Sequence, residues 1–203
     1  MRQGCIPAKN ALIIGLLAIF SLLYSCNRVP DKEVIFIGDS IISRWDLEEG
    51  FPAFTTINLG IGGSGIKYIE SMAHTAEGRT TVILCGTNDL AHLKNNPDNI
   101  KAYTRRYIDA VANLDAGKVF VISILPREFQ NEDSLLPTIA ALNLSLSSAI
   151  NSIPDFYFVD VYDQFLYNNK LDYDLFEDNL HLTPQGYQIL NETVRKILNH
   201  EAF

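Results

Sequence analysis

The sequence predicts an α/β domain, a parallel sheet sandwiched between helices, and three observations carry that expectation. Five β-type runs recur along the chain: "VIFIG" (34–38), "TTIN" (55–58), "TTVILCG" (80–86), "KVFVISIL" (118–125) and "FYFVDVY" (156–162). The central runs are apolar at consecutive positions, as strands are when both faces of a sheet are covered. Helix-type patterns stand between them, near 65–77, 98–114, 135–152 and 184–199, giving the strand–helix alternation that builds parallel sheets.

Before the first strand, residues 1–25 read as a signal peptide: Arg2 and Lys9 make a positive start and Ala11 to Tyr24 is almost unbroken apolar sequence. The stretch is short for a bilayer span, which takes about 20 apolar residues. Its ending, Leu23-Tyr24-Ser25-Cys26, resembles the bacterial lipobox, with Tyr24 the untidy position. That resemblance implies cleavage before Cys26, a lipid on its thiol, and a membrane-anchored lipoprotein in the cell envelope; ordinary secretion and an uncleaved anchor are the other readings. Residues 26–32 would form a tether and 33–203 the folded domain. Of the three cysteines, Cys5 would leave with the signal, Cys26 would be acylated and Cys85 lies in an apolar run, so no disulfide pair remains. Removing Arg2 and Lys9 from the 16 basic residues leaves 14 against 24 acidic ones, a formal charge of −10. Such a surface repels phosphate backbones, which argues against a nucleic-acid partner.

Within 33–203 the turn signals agree with the strands and helices. Asn96-Pro97 starts a helix, Asp115-Ala116-Gly117 ends it, and Thr183-Pro184 supplies an N-cap and a first-turn proline to the last helix. Ligands of open parallel sheets sit beyond the carboxyl ends of the strands. There the sequence places Gly38-Asp39-Ser40, then Gly60 to Gly65, then Gly86-Thr87-Asn88-Asp89, and before the last helix Asp178-Asn179-Leu180-His181. Ser40 alone reads most often as a helix cap, Asn88 as a turn residue, and an isolated Asp-x-x-His as a solvated loop. Together they supply what serine ester cleavage needs: a hydroxyl in Ser40, a base in His181, and a carboxylate in Asp178 to fix the tautomer of that base.

These residues match a known family. "FIGDSI", "NLGIGGSG", "CGTNDL" and "DNLHLTPQGY" follow one another in the block order of the SGNH hydrolases, the GDSL esterases and lipases, and the chain resembles that family from about Val34 to Leu198. An isoleucine replaces the usual leucine after the serine. The resemblance implies a flavodoxin-like three-layer α/β/α sandwich with a five-stranded parallel sheet, and ester hydrolysis without metal or organic cofactor. It implies Ser40 as nucleophile, His181 as base and Asp178 as its partner. The oxyanion would be held by the backbone N–H groups of Ser40 and Gly63 and by the Asn88 side chain.

The expected substrate is a small-molecule or glycan ester losing a small acyl group, with an acetylated carbohydrate preferred because an envelope-tethered enzyme meets polysaccharide. A lysophospholipid or thioester is the alternative within the class. From another class, Gly60-x-Gly62-x-x-Gly65 also fits a dinucleotide fingerprint after a strand, with Asp89 as a ribose ligand. That reading leaves Ser40, Asn88 and the Asp178/His181 pair unexplained. Trp45, Leu90, Leu93 and Phe129 are expected as an apolar substrate wall, with Arg127 as an anion contact. Asp39, Glu177 and His92 are read as surface residues, and His74 and His200 as exposed helix positions.

Overall fold

The computed structural model describes residues 32–93, 95–128 and 135–201. Cys26, the predicted signal and Phe129 lie outside the described residues. From Glu33 onward the chain builds a five-stranded, all-parallel sheet: β1 (Glu33–Gly38), β2 (Thr55–Gly60), β3 (Thr80–Leu84), β4 (Lys118–Ile122) and β5 (Phe156–Val159), in spatial order β2-β1-β3-β4-β5. That is the flavodoxin-like order, and its topological switch point lies between β1 and β3.

Alternation along each strand divides the core in two. Val34, Phe36, Val82, Leu84, Phe120 and Ile122 point to one face, where α1 (Ser40–Ser43), α2 (Leu47–Gly50) and α6 (Pro184–Glu201) cover them. Ile35, Ile37, Ile83, Val119 and Val121 point to the other, under α3 (Ile66–Ser71), α4 (Pro97–Ala112) and α5 (Leu136–Ile150). The uninterrupted apolar runs of the sequence are therefore strands buried on both faces.

Helix starts follow the sequence signals. Asn96 caps α4 through its side chain, accepting from the N–H groups of Asp98 and Asn99, with Pro97 as the first helical residue. Thr183 Oγ1 accepts the N–H of Gly186 at the start of α6.

Three elements are shorter than the sequence suggests. The pattern at 65–77 yields only α3, because beyond Met72 the backbone turns to pair with the end of α4: the N–H groups of His74, Ala76 and Gly78 donate to Asn113, Leu114 and Asp115. His74 consequently sits in a turn at φ 61° beside Asp115 rather than on a helix. The run 118–125 stops as a strand at Ile122, and 156–162 stops at Val159. A two-stranded antiparallel sheet that the periodicity did not indicate, β6 (Leu166–Tyr167) and β7 (Lys170–Leu171), turns through Asn168 and Asn169, both at positive φ.

Candidate active site

β1 ends at Gly38, where a Cβ would stand 2.0 Å from the carbonyl oxygen of Leu84, so the chain crosses the neighbouring strand closely only with glycine there. Asp39 then caps α1, its Oδ1 accepting the Ile41 N–H at 2.9 Å. The capping role open to Ser40 thus falls to Asp39, and Ser40 becomes the first helical residue.

The Ser40 hydroxyl lies 3.0 Å from Nε2 of His181. His181 Nδ1–H donates to Asp178 Oδ2 at 2.7 Å, while Asp178 Oδ1 accepts the His181 backbone N–H at 2.8 Å. Asn179, at φ 62°, makes the reversal that brings one carboxylate onto both groups of a residue three positions later. The loop is closed at its base by Glu177 N–H to His181 O (2.7 Å) and Thr183 N–H to Leu175 O (3.0 Å). The hydrogen bond from the His181 ring, joined by its backbone N–H, holds the Asp178 carboxyl below the usual carboxylate range.

Gly63 stands at φ 75°, and a Cβ built there meets nothing within 4 Å. In the protein alone it is the backbone conformation that calls for glycine at this position. The loop around it is tied down on both sides. Ser64 Oγ–H donates to Gly38 O at 2.9 Å, Asn88 Nδ2–H donates to Ser64 O at 2.8 Å, and Asp89 Oδ2 accepts from the Ile66 N–H (2.8 Å) and the Tyr103 hydroxyl (2.7 Å). One N–H of the Asn88 amide is thus engaged, and the amide carries a second.

Arg127 is 5% exposed and its Nη1 donates to the carbonyl and hydroxyl of Thr87 at 3.2 and 3.1 Å. The anion contact expected of it gives way to a clamp on the residue preceding Asn88. Trp45, Leu90 and Leu93 are buried in the two cores, with Trp45 Nε1–H donating to Asn191 Oδ1, so they do not form the expected substrate wall. Glu177 is exposed, 3.8 Å from Arg44, and His92 is exposed.

Asp39, expected at the surface, is instead 1% exposed, buried between the end of β1 and Ser40. Burial pushes its carboxyl up to about 7, against the lowering effect of the Ile41 N–H.

The Gly60–Gly65 loop does not offer a free helix terminus to a diphosphate. Asp89 occupies that position, its Oδ2 on the Ile66 N–H and its Oδ1 2.4 Å from where a Cβ of Gly65 would lie. Gly65 is glycine because a carboxylate of the protein packs against it.

Five groups thus converge from distant parts of the chain on the carboxyl edge of the sheet at its switch point: Ser40 after β1, the Gly63 turn after β2, Asn88 after β3, and the Asp178/His181 loop before α6. The GDSL-like Lipase/Acylhydrolase family model matches residues 36–189, which takes in all of them. The chain belongs to this family.

Solved structures agree with the assignment. A Streptococcus pneumonia protein provisionally described as a platelet activating factor is 25% identical, with a TM-score of 0.68 over 93% of this chain and 99% of its own. A GDSL-like lipase from Bacteroides thetaiotaomicron is 22% identical (TM-score 0.67, 90% of this chain and 96% of that one). An acetylxylan esterase from Geobacillus stearothermophilus, solved as a catalytic mutant, is 17% identical (TM-score 0.60, 83% and 94%) and shares the fold. No curated protein sequence matches the chain.

Proposed function

We propose that this GDSL-family acylhydrolase is a serine esterase in which Ser40, His181 and Asp178 form the catalytic triad and which removes a small acyl group. The observation that carries the reading is the continuous relay from the Ser40 hydroxyl to His181 Nε2 and from Nδ1–H to the Asp178 carboxylate, at 3.0 and 2.7 Å. Ser40 Oγ attacks the ester carbonyl carbon while its proton passes to Nε2. The tetrahedral oxyanion is met by the N–H groups of Ser40 and Gly63 and by the second N–H of Asn88. Collapse expels the alcohol with the proton from Nε2, and water repeats the sequence on the acyl-enzyme. Asp178 remains a carboxylate throughout, in keeping with the downward displacement of its pKa.

Gly62 and Gly63 are exposed and Asn88 is half-buried, so the rim beside Ser40 is open. Of the apolar side chains expected to wall a long acyl chain, Trp45, Leu90 and Leu93 are packed inside the cores instead. Both features favour a short acyl group, with acetyl on a carbohydrate as the substrate class; the lipobox-like Cys26, acylated, would hold the enzyme at the cell envelope where such esters occur.

The test is labelling of the full chain with a fluorophosphonate, wild type against Ser40→Ala, and hydrolysis of aryl acetate against aryl octanoate. Expected are labelling that requires Ser40, loss of turnover by about five to six orders of magnitude in S40A, and an acetate preference of about tenfold or more. Labelling that persists in S40A removes the nucleophile assignment, and an octanoate preference turns the substrate towards lipid. An active His181→Ala enzyme removes the base. Partitioning into detergent that survives Cys26→Ala removes the lipid anchor.

A further inference from the structure

Asp39 is an acid that the relay does not use, and its surroundings are unusual for one. It lies between the end of β1 and Ser40, 1% exposed. Oδ1 accepts the Ile41 N–H, whereas Oδ2 meets no donor among the described residues. Titratable groups face it from each element packed around it: Cys85 beyond the end of β3, Asp89 in the following turn, Tyr107 on α4, Arg127 beyond β4, and Tyr187 on α6. His181 is bonded to the hydroxyl of Ser40, the residue that follows Asp39.

Among these, Arg127 is the permanent cation, and its attraction for an Asp39 anion is outweighed by burial. Asp89 opposes a second negative charge nearby. The Cys85 thiol and the Tyr107 and Tyr187 hydroxyls are all pushed up by burial, so they stay neutral and Arg127 is the cation that acts on Asp39. A carboxylate oxygen buried without a donor is costly, and uptake of a proton removes most of that cost. The carbonyl oxygen of the resulting acid still accepts the Ile41 N–H, so the cap survives protonation.

We propose that Asp39 works as an un-ionised acid beneath the nucleophile, a positioning residue that caps the first turn of α1 while keeping fixed negative charge away from the oxyanion formed above it. The inference rests on the reading of Ser40 as nucleophile. The oxyanion would gather against the Ser40 N–H, one residue from Asp39, and a carboxylate at that distance in a poorly solvated site repels the charge that the N–H groups are placed to hold. Because burial brings Asp39 up to about 7, raising the pH through neutrality ionises it and slows the chemical step. The enzyme gains an alkaline limb that no member of the relay accounts for.

The experiment is the pH dependence, from about 5 to 9, of kcat and KM for the full chain on an aryl acetate, wild type against Asp39→Asn, joined to infrared spectra of the carboxyl C=O stretch. In the wild type kcat is expected to fall about tenfold or more on the alkaline side, with KM little changed. In D39N the ratio of kcat at pH 6.5 to that at pH 9 falls to near one, and a protonated-carboxyl band present in the wild type at pH 6 is missing. A flat wild-type profile, the same alkaline limb in D39N, or no difference between the spectra overturns the proposal. Should D39N not fold, the pH-difference spectrum of the wild type decides alone: no carboxyl titrating near neutrality means no buried acid. Failure of the hydrolase reading itself is recognised separately, by fluorophosphonate labelling that ignores Ser40.

Discussion

Gly63 and Asn88 contribute to the site in different ways, and substitutions should separate them. At Gly63 an alanine has room but must adopt φ near 75°, which costs about 1 kcal/mol and tilts the N–H proposed to meet the oxyanion. Gly63→Ala is therefore expected to lower kcat about 10- to 100-fold with only a small loss of stability, read from kinetics and urea denaturation on the same preparation. Asn88→Ala removes the bond to Ser64 O and, in the proposed mechanism, an oxyanion donor, so turnover should drop about 100- to 1000-fold, or roughly 2.7–4 kcal/mol. An N88A enzyme within fivefold of wild type would remove Asn88 from the oxyanion site. The gathering of Ser40, Asn88, Asp178 and His181 at one edge of the sheet was legible because polar residues at the ends of apolar runs stand out along a chain. The burial of Asp39 was not, since an aspartate after a strand is ordinarily a solvated cap; only the packing of the end of β1 against β3 and the helices shows that this cap is sealed from water.

At the level of elements, the sequence runs on where the structure stops. "KVFVISIL" is apolar to residue 125, yet the strand ladder ends at Ile122. Beyond it Asn143 of α5 takes over: its Oδ1 accepts the Ile124 N–H and its Nδ2–H donates to Ile124 O, both at 2.9 Å, while Ser123 Oγ accepts the Val161 N–H at 3.0 Å. A helix side chain here replaces a neighbouring strand, a pairing that local periodicity does not contain. Asn143→Leu would leave both buried backbone groups of Ile124 unmatched, and the predicted loss is about 2–4 kcal/mol in denaturant unfolding. A change under 1 kcal/mol would mean that the segment after β4 finds other partners. The small hairpin β6–β7 was also within reach of the sequence, because Asn168-Asn169 is a pair that tolerates positive φ at both turn positions; its strands of two residues are too short to show alternation.

For the molecule as a whole, the sheet and its two-sided core were legible because burial on both faces writes itself as continuous apolar sequence. The spatial order was not, since nothing local says which strands pair. The protonation state of Asp39 also acts on global stability. Its folded pKa, near 7, lies above the ordinary 3.8, so the folded chain holds a proton that the unfolded chain has released between about pH 4 and 7. Stability from this group is full below pH 4, declines as pH rises to about 7, and is level beyond; the total is on the order of 4 kcal/mol. Asp178 acts in the opposite sense, its contribution fading in acid, but it is exposed and the effect is small. Urea midpoints at pH 5 and pH 8 should therefore converge in Asp39→Asn relative to wild type. An equal drop in both proteins would show that Asp39 is already ionised at pH 5.

The turn from Asp178 to His181 is a detachable cartridge. Asp178 and His181 are bonded to each other within four residues, so their mutual alignment is held locally, and the relation of this turn to Ser40 is set by the tertiary structure. If the proposed triad carries the reaction, sliding the cartridge outward by about one ångström would disarm it while leaving every strand in place. Insertions just outside it, at residue 177 or 182, should thus silence the esterase in a protein that remains fully folded.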